Sequence, residues 1–394
     1  MSLNYDELLN PTARDMKPSG IRKFFDLAGS MQDVVTLSIG EPDFKTPWHI
    51  REAGISNLNE GKTAYTPNAG LVPLRRAITS YMSRRFGLQY DPDAEVIVTV
   101  GGSEGIDVTM RTVLRPGDEV LIPEPSFVCY APLASMTGAV PVSLPTYEKD
   151  AFRLTPETLK AAITPKTKLL VLSYPNNPTG AIMTKADYEA IAAVLRDTQI
   201  LVVSDEIYIE LSYAKEPLVS FASIEGMRER TVVVNGFSKA YAMTGWRMGY
   251  VCGPKELIRP ALKLHQFGIM SAPTTSQYAA VEALEHGAED IAMMREKYNM
   301  RRKFLLRTFE RLNIPCFEPL GAFYVFPNLS RFGLSSEEFC RRFLEEEKVA
   351  MVPGNAFGES GEGFARISYA YSMDHLKIAM DRLERFISRL EGEK

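Results

Sequence analysis

The chain has 394 residues, 45% hydrophobic and 24% charged, with a formal net charge of -4 at pH 7. Its length predicts a large domain with a smaller companion, and the acidic balance argues against nucleic acid or an anionic membrane as partner. Four scattered cysteines without a CxxC pair and only four histidines favour neither a zinc site nor a disulfide framework. The first ten residues lack a signal-peptide pattern and no apolar run is long enough to span a membrane, so we expect a cytoplasmic protein.

From about residue 95 the sequence alternates short β-branched runs with helix-like segments, a pattern typical of α/β proteins. Consecutive apolar residues at 169–172 and 201–203 indicate strands covered by helices on both faces, and hence a mostly parallel sheet. About a dozen residues separate the last two predicted strands, too few for a crossover helix, which favours an antiparallel last strand. The seven predicted strands are 95–100, 119–123, 140–144, 168–173, 200–204, 231–235 and 249–252.

A long amphipathic helix is predicted at 288–312, and it joins the sheet to a C-terminal part. A plain surface helix is the alternative reading of that stretch. Beyond it we expect a compact α+β unit, with strands at 322–326, 349–352 and 365–369 and helices at 335–347 and from Met373 onward.

Lys239 comes shortly after the predicted strand 231–235, in a segment with Ser238, Gly245 and Arg247. Most lysines are solvated surface groups, and taken alone Lys239 would be one of them. Ser238 and Arg247, however, offer a hydroxyl and a charge-assisted contact to one phosphate. An amine beside phosphate ligands at a sheet edge is what a phosphorylated, electron-withdrawing ring needs to form an imine.

Asp205 ends the predicted strand 200–204, and strand alternation places it on one face with Ile207 while Glu206 lies on the other. A buried carboxylate facing a pyridine nitrogen keeps that nitrogen protonated, which makes the ring an electron sink. Ile207 would then pack beneath the ring, and Tyr208 would hydrogen-bond a ring hydroxyl. The alternative is an aspartate that caps a following helix.

Residues 99–105, Thr-Val-Gly-Gly-Ser-Glu-Gly, follow a strand and open a helix, where backbone N–H groups and the helix dipole favour an anion. This pattern predicts a phosphate cradle, although Gly-Gly turns are common and the spacing matches neither GxGxxG nor the Walker loop. Glu104 fits such a cradle only if its side chain turns to solvent while its amide faces the anion.

Two further features lie at predicted strand ends or within strands. Asn177 belongs to Pro175-Asn176-Asn177-Pro178-Thr179-Gly180, which closes a strand at the edge where α/β proteins bind ligands; an ordinary turn is the alternative. Arg366 lies in a short apolar strand, an unusual place for an arginine without a partner. Its partner is either a substrate carboxylate or a structural one.

Together these motifs resemble the class I aminotransferases of pyridoxal phosphate (PLP) fold type I, from about Ser19 to Leu383. The similarity is strongest to the branch of prokaryotic aspartate and archaeal-type aromatic aminotransferases. The opening residues, Leu8-Leu9-Asn10-Pro11 and Ser19-Gly20-Ile21-Arg22-Lys23-Phe24, also resemble bacterial N-acetyl-diaminopimelate aminotransferases. The matching motifs are Ser38-Ile39-Gly40-Glu41-Pro42-Asp43-Phe44, Tyr65-Thr66-Pro67-Asn68-Ala69-Gly70, Asn177-Pro178-Thr179-Gly180, Asp205-Glu206-Ile207-Tyr208, Ser238-Lys239, Gly245-Trp246-Arg247, Gly321-Ala322-Phe323-Tyr324 and Arg366-Ile367-Ser368.

The resemblance implies that Lys239 binds PLP covalently, that Asp205 pairs with the ring nitrogen, and that Tyr208 and Asn177 contact the ring oxygen. Phe127 occupies the place of an aromatic residue that stacks on the ring. The implied phosphate ligands are Gly102, Ser103, Ser238, Arg247 and, from a neighbouring subunit, Tyr65. That last contact implies a homodimer with shared active sites. The implied ligands of the substrate α-carboxylate are Gly40, Asn177 and Arg366.

The resemblance also implies the architecture: a large domain at 45–287 with a mostly parallel seven-stranded sheet, and a small α+β domain from 1–44 and 288–394. It implies cis peptide bonds before Pro125 and Pro178. In one respect the chain departs from the pattern, because some members have a phosphate-binding serine three residues before the lysine, where Gly236 stands here.

The implied activity is ping-pong transfer of an amino group from an L-amino acid to a 2-oxo acid, with 2-oxoglutarate as the expected acceptor. Lys239 would move the Cα proton, its pKa lowered by the nearby ring and Arg247. A PLP-dependent carbon-sulfur β-lyase and a non-catalytic PLP-binding regulator domain are the alternatives. The stretch 105–111 has no lysine for a distal carboxylate, which favours aromatic or broad specificity. The residues expected to line a less polar pocket are Ile39, Phe127, Tyr241 and Phe323.

Overall fold

Twelve strands are assigned in the computed structural model, which describes residues 3–18, 20, 29 and 31–393. We number them in chain order: β1 Val35–Thr36, β2 Val96–Thr99, β3 Glu119–Glu124, β4 Val140–Pro145, β5 Thr167–Ser173, β6 Leu201–Asp205, β7 Thr231–Gly236, β8 Gly249–Cys252, β9 Tyr324–Val325, β10 Val349–Ala350, β11 Val352–Pro353 and β12 Ala365–Ser368.

The α-helices of the described residues span Tyr5–Leu8, Pro11–Asp15, Trp48–Asn59, Val72–Phe86, Gly101–Val113, Tyr130–Met136, Pro156–Ala162, Lys185–Leu195, Lys255–Gly268, Thr274–His286, Ala288–Arg311, Ser336–Glu347 and Met373–Gly392. None of them combines the length and the apolar character that a membrane crossing requires. Short 3-10 helices lie at Glu148–Asp150, Phe221–Ser223, Arg228–Arg230, Thr244–Trp246, Ser330–Phe332, Gly354–Phe357 and Glu359–Gly361.

The central sheet has seven strands in the order β2-β8-β7-β6-β5-β3-β4. All neighbours are parallel except β8, which runs antiparallel to both β2 and β7, as the short connection before it favoured. Leu169 and Val171 pack into one apolar cluster, whereas Leu170 and Leu172 pack into another on the opposite face. The run of consecutive apolar residues therefore does mark a strand covered on both sides, and the α/β prediction is confirmed.

The C-terminal part is built as expected around helix Ala288–Arg311, but its strands differ in detail. The predicted strand 349–352 is two strands, because β10 pairs with β1 whereas β11 pairs with β12, so the chain passes from one small sheet to another at Met351. The predicted strand 322–326 shortens to β9, which pairs with β12. Since β1 joins β10, the start of the chain is tied to its end, and we propose domains of 45–287 and of 1–44 with 288–394.

Candidate active site

One cavity of about 350 Å³ opens where β5, β6 and β7 end, and most of the predicted site residues line it. Parallel strands that end together bring their following loops to one sheet edge, which is where α/β proteins bind ligands. The predicted residues on its wall are Gly40, Gly102, Ser103, Phe127, Asn177, Asp205, Tyr208, Ser238, Lys239, Arg247 and Arg366. Tyr65 is not on this wall and its side chain is 82% exposed.

Lys239 projects into the cavity from the segment after β7. Its Nζ donates to the carbonyl oxygen of Gly40 at 2.6 Å, and it lies 5.9 Å from the ring centroids of both Tyr208 and Phe323. Burial lowers the pKa of Lys239 to about 8, and the cationic Arg366 and Arg247 act in the same direction while Glu41 opposes them. A lysine with this pKa is neutral in about a tenth of the molecules at pH 7, far more than a lysine with its ordinary pKa, so it can act as a nucleophile and a proton carrier.

Asp205 is the last residue of β6, and its carboxylate faces the cavity. Oδ2 accepts a hydrogen bond from the Tyr130 hydroxyl at 2.8 Å, and Oδ1 accepts one from the Ile207 amide at 3.1 Å. Burial raises the pKa of Asp205, while the hydrogen bonds from Tyr130 and Ile207 and the charge of Lys239 oppose this rise. A turn follows β6 in place of a helix, so Asp205 is not a helix cap.

Glu206, the neighbour of Asp205, is buried on the other side of the strand. Its Oε1 accepts hydrogen bonds from the hydroxyls of Ser204 and Ser220 and from the amide of Phe221. Ile207, in contrast, lines the cavity together with Asp205. The predicted alternation of the three side chains is therefore what the structure shows.

The predicted phosphate cradle is the start of helix Gly101–Val113, with Gly102 and Ser103 on the cavity wall. A Cβ atom on Gly249 would lie 2.6 Å from the Gly101 carbonyl carbon, so a glycine at 249 lets β8 approach this turn. First-turn amides have no acceptor within their own helix, which leaves them free for an anion. Arg247, also on the wall, donates from Nη1 to the Thr244 carbonyl oxygen at 3.0 Å.

Close packing also surrounds Gly236, where some members of the family that the sequence resembles have a serine. A Cβ atom on Gly236 would lie 2.9 Å from the Met248 carbonyl oxygen and 3.0 Å from the Gly249 Cα. A larger side chain at this position would push β8 away from β7. The serine contact to the phosphate is therefore incompatible with the way these two strands pack.

The expectation for Glu104 is wrong, because its side chain does not turn to solvent. Only 12% of that side chain is exposed; Oε2 accepts from the Val100 amide at 2.5 Å and Oε1 lies 2.5 Å from His265 Nδ1. Sequence alone did not reveal the partner, since His265 lies 161 residues further along the chain. The carboxylate thus folds back beside the helix start and is not part of the cavity wall.

Arg366, on β12, is 2% exposed and has no carboxylate partner among the described residues. Its Nη1 donates to Asn177 Oδ1 at 2.9 Å and its Nη2 to the carbonyl oxygen of Ser38, while its buried Nε has no partner there. The guanidinium lies between the rings of Tyr324 and Phe357, at 4.7 and 4.9 Å. Of the two partners that the sequence left open, a structural carboxylate is not found, and the free donors suit the carboxylate of a bound molecule.

Two tyrosines that the sequence analysis gave no role belong to this site. Tyr130 supports Asp205, and Tyr324 forms a 2.7 Å hydrogen bond between its hydroxyl and that of Tyr208. Tyr324 ends the motif that begins at Gly321, so a signal was present. Tyr130, three residues after Phe127, carried none.

Two of the residues expected in a less polar pocket lie elsewhere. Ile39 and Phe127 do line the cavity, but Tyr241 and Phe323 are buried in the core behind it. Tyr241 packs against Phe237, and Phe323 packs against Tyr208. Helix and loop packing places these two rings in the core, so they cannot contact a substrate directly.

The cavity fits a flat, phosphorylated ring with a basic nitrogen. Asp205 supplies a buried carboxylate at one place on the wall, whereas Gly102, Ser103, Ser238 and Arg247 supply phosphate donors. The amine of Lys239 lies in the same cavity, and Arg366 provides a separate anion site. The implied cis peptide bonds are present before Pro125 and Pro178, and a further one precedes Pro175.

The chain is similar in sequence and fold to known proteins. The family model described as "Aminotransferase class I and II" matches residues 32–383. The chain is 44% identical to an aspartate aminotransferase of Pyrococcus abyssi, covering 94% of this chain and 96% of that one. It is 43% identical to a Bacillus subtilis protein named "Probable N-acetyl-LL-diaminopimelate aminotransferase", covering 97% and 96%. The structure of an aromatic aminotransferase from Pyrococcus horikoshii OT3 superposes with a TM-score of 0.90 at 42% identity, covering 94% and 99%. Most of the motif from Ser19 to Phe24 lies outside the described residues.

Proposed function

The chain belongs to the class I and II aminotransferase family, and from this premise we propose that it is a PLP-dependent enzyme that transfers the amino group of an L-amino acid to a 2-oxo acid. The observation that carries the proposal is the meeting of Lys239, Asp205 and Arg366 on the wall of one cavity. An amine, a buried acid and an anion-binding arginine are the groups that this reaction requires of the protein.

In this proposal the phosphate of PLP binds at the start of helix Gly101–Val113, with Ser238 and Arg247. Asp205 faces the ring nitrogen, and Tyr130 fixes the direction of its carboxylate. Phe127 and Ile207 would pack against the ring, and Tyr208 and Asn177 would contact its oxygen. When bound, PLP withdraws electrons from the Cα of the amino acid and holds the amino group between the two halves of a ping-pong reaction.

The residues of the chain orient the substrate and move its proton. Arg366 binds the α-carboxylate through the donors that the protein leaves free, with Asn177 and Gly40 beside it. This fixes the Cα–H bond relative to the ring. Burial lowers the pKa of Lys239 to about 8, so about a tenth of the molecules have a neutral amine at pH 7. That amine would accept the proton that leaves Cα and hold it on Nζ.

Substrate preference follows from the charges on the wall. The cationic wall residues, within the described part of the chain, are Lys239, Arg247 and Arg366, and the proposal gives each of them another partner. No further cation of the described wall is left for the distal carboxylate of a dicarboxylic amino acid. The wall of one chain therefore favours an aromatic or broad range of amino donors over aspartate alone. We propose 2-oxoglutarate as the acceptor, and its distal carboxylate must then find its partner outside this wall, in water or on the neighbouring subunit.

The proposed enzyme is a homodimer, because one expected phosphate ligand cannot act within its own chain. Tyr65 is 82% exposed and does not line the cavity of its own subunit, which is what a side chain reaching into a neighbouring subunit requires. Large apolar side chains are also exposed at Trp48, Phe267 and Met270. The Asn68 side-chain amide donates to the Met270 carbonyl oxygen, which ties the segment after Tyr65 to the exposed Met270.

The test is an amino-donor panel with 2-oxoglutarate, using the wild type and Lys239→Ala. We expect turnover with the wild type, highest with aromatic donors, and none with Lys239→Ala, although that variant still binds PLP without a covalent bond. Lys377→Ala is the matched control, because the side chain of Lys377 is 57% exposed and does not line the cavity. A fully active Lys239→Ala enzyme would contradict the proposal, and release of ammonia from cystathionine without an oxo acid would indicate a lyase.

A further inference from the structure

A buried histidine lies behind the phosphate cradle and has no part in the proposed reaction. His265, near the end of helix Lys255–Gly268, is 1% exposed. Its Nδ1 is 2.5 Å from Glu104 Oε1, and its buried Nε2 has no partner among the described residues. Because a carboxylate only accepts hydrogen bonds when ionised, Nδ1 is the donor of this pair.

The contact with His265 matters because Glu104 lies beside the predicted phosphate cradle. Its carboxylate is in the first turn of helix Gly101–Val113, next to Gly102 and Ser103, which line the cavity. Two donors hold it on the far side of that turn, the Val100 amide and His265 Nδ1–H. Without His265 a largely buried carboxylate would keep one donor, and the stable alternative is to rotate toward water and the cavity, where it would repel a phosphate.

We propose that His265 is a positioning residue of the phosphate site, which holds the Glu104 carboxylate away from the bound anion. The inference rests on the proposed function in one respect, that the anion is the phosphate of PLP. His265 touches neither cofactor nor substrate. Its effect passes through Glu104, so removing the Glu104 charge should make the histidine dispensable.

The experiment is a double-mutant cycle on the apoenzyme with PLP, unphosphorylated pyridoxal and inorganic phosphate as probes. His265→Leu should weaken PLP binding about tenfold, equivalent to about 1.4 kcal/mol, and weaken phosphate binding similarly, while leaving pyridoxal binding and kcat at saturating PLP unchanged. Glu104→Gln in the His265→Leu background should restore PLP affinity. His265→Asn, which keeps a donor near the Nδ1 position, should also bind PLP as the wild type does.

His286→Leu is the matched control, since His286 is exposed and pairs with Glu282 on its own helix. Equal PLP affinity in His265→Leu and wild type, or no recovery in the double variant, would overturn the proposal. If His265→Leu does not fold, Glu104→Gln alone decides, because it must bind phosphate at least as tightly as the wild type. Failure of the wild type to bind PLP would instead refute the proposed function, so the two failures are distinct.

Discussion

Burial of the reactive lysine should make the apoenzyme less stable than a variant without that amine. The pKa of Lys239 falls from its ordinary value of 10.5 to about 8 in the fold, mainly because of burial. Well below pH 8 the lysine is charged in both the folded and the unfolded chain, and the folded state then carries a net penalty of about 3 kcal/mol, mainly from desolvation. Lys239→Met removes this penalty and loses the hydrogen bond to Gly40, worth about 1 kcal/mol. The variant should therefore be more stable by about 2 kcal/mol at pH 6.5.

The gain depends on pH in a direction that identifies its cause. Between pH 8 and 10.5 the unfolded chain binds more protons than the folded one, so wild-type stability rises with pH through this window. At pH 9.5 the remaining penalty is about 1 kcal/mol, so the advantage of Lys239→Met should shrink by about 2 kcal/mol relative to pH 6.5. Urea unfolding of both apoproteins at the two pH values measures this difference. Lys377→Met, at an exposed lysine, should show no such change. A gain that is absent, or equal at both pH values, would refute the reasoning.

Two further predictions test the anion sites. Arg366→Lys keeps the charge but loses the planar pair of donors, so kcat/KM for an amino acid should fall about 100-fold, from the loss of about 3 kcal/mol of charge-assisted hydrogen bonding. The corresponding amine, which lacks the carboxylate, should react equally well with the wild type and with Arg366→Lys. Arg311→Lys, at a surface arginine, is the control. An equal loss of activity toward the amine would contradict the assignment. Tyr65→Phe should weaken PLP binding about tenfold by removing one hydrogen bond to a charged group. A hybrid dimer of one Tyr65→Phe subunit and one Lys239→Ala subunit has one site with an intact Lys239. If Tyr65 comes from the partner subunit, that site should bind PLP with wild-type affinity. A monomeric enzyme with full activity would exclude the contact.

The sheet was predicted from local patterns in the sequence, and the residues of the cavity wall from local patterns together with the family resemblance. Consecutive apolar residues marked β5 and β6, and the polar residues that followed them had to meet at one sheet edge. Asp205 and Ile207 both line the cavity, as strand alternation predicted, although Ile207 lies in the turn after β6. Motifs of this kind require only neighbouring residues, so they can be recognised before any tertiary contact is known.

The features that the sequence missed depend on residues far apart in the chain. Tyr130 supports Asp205 across 75 residues, and His265 turns Glu104 inward across 161. Neither contact leaves a pattern around either partner. Tyr241 and Phe323 were assigned to the pocket from proximity to motifs, but core packing decides where a large ring points. The split of strand 349–352 likewise depends on two different pairing partners, which no local sequence specifies.

The cavity gathers cations that stabilise the folded chain poorly on their own. Burial lowers the pKa of both Lys239 and Arg366, so each of these groups is held at the expense of its hydration. The buried Nε of Arg366 has no hydrogen-bond partner among the described residues. Such an arrangement becomes favourable when anions bind. The cavity has two separate anion sites, so it suits two bound molecules that each carry one anionic group. A phosphorylated cofactor and an amino acid carboxylate meet that requirement, with the lysine amine in the same cavity.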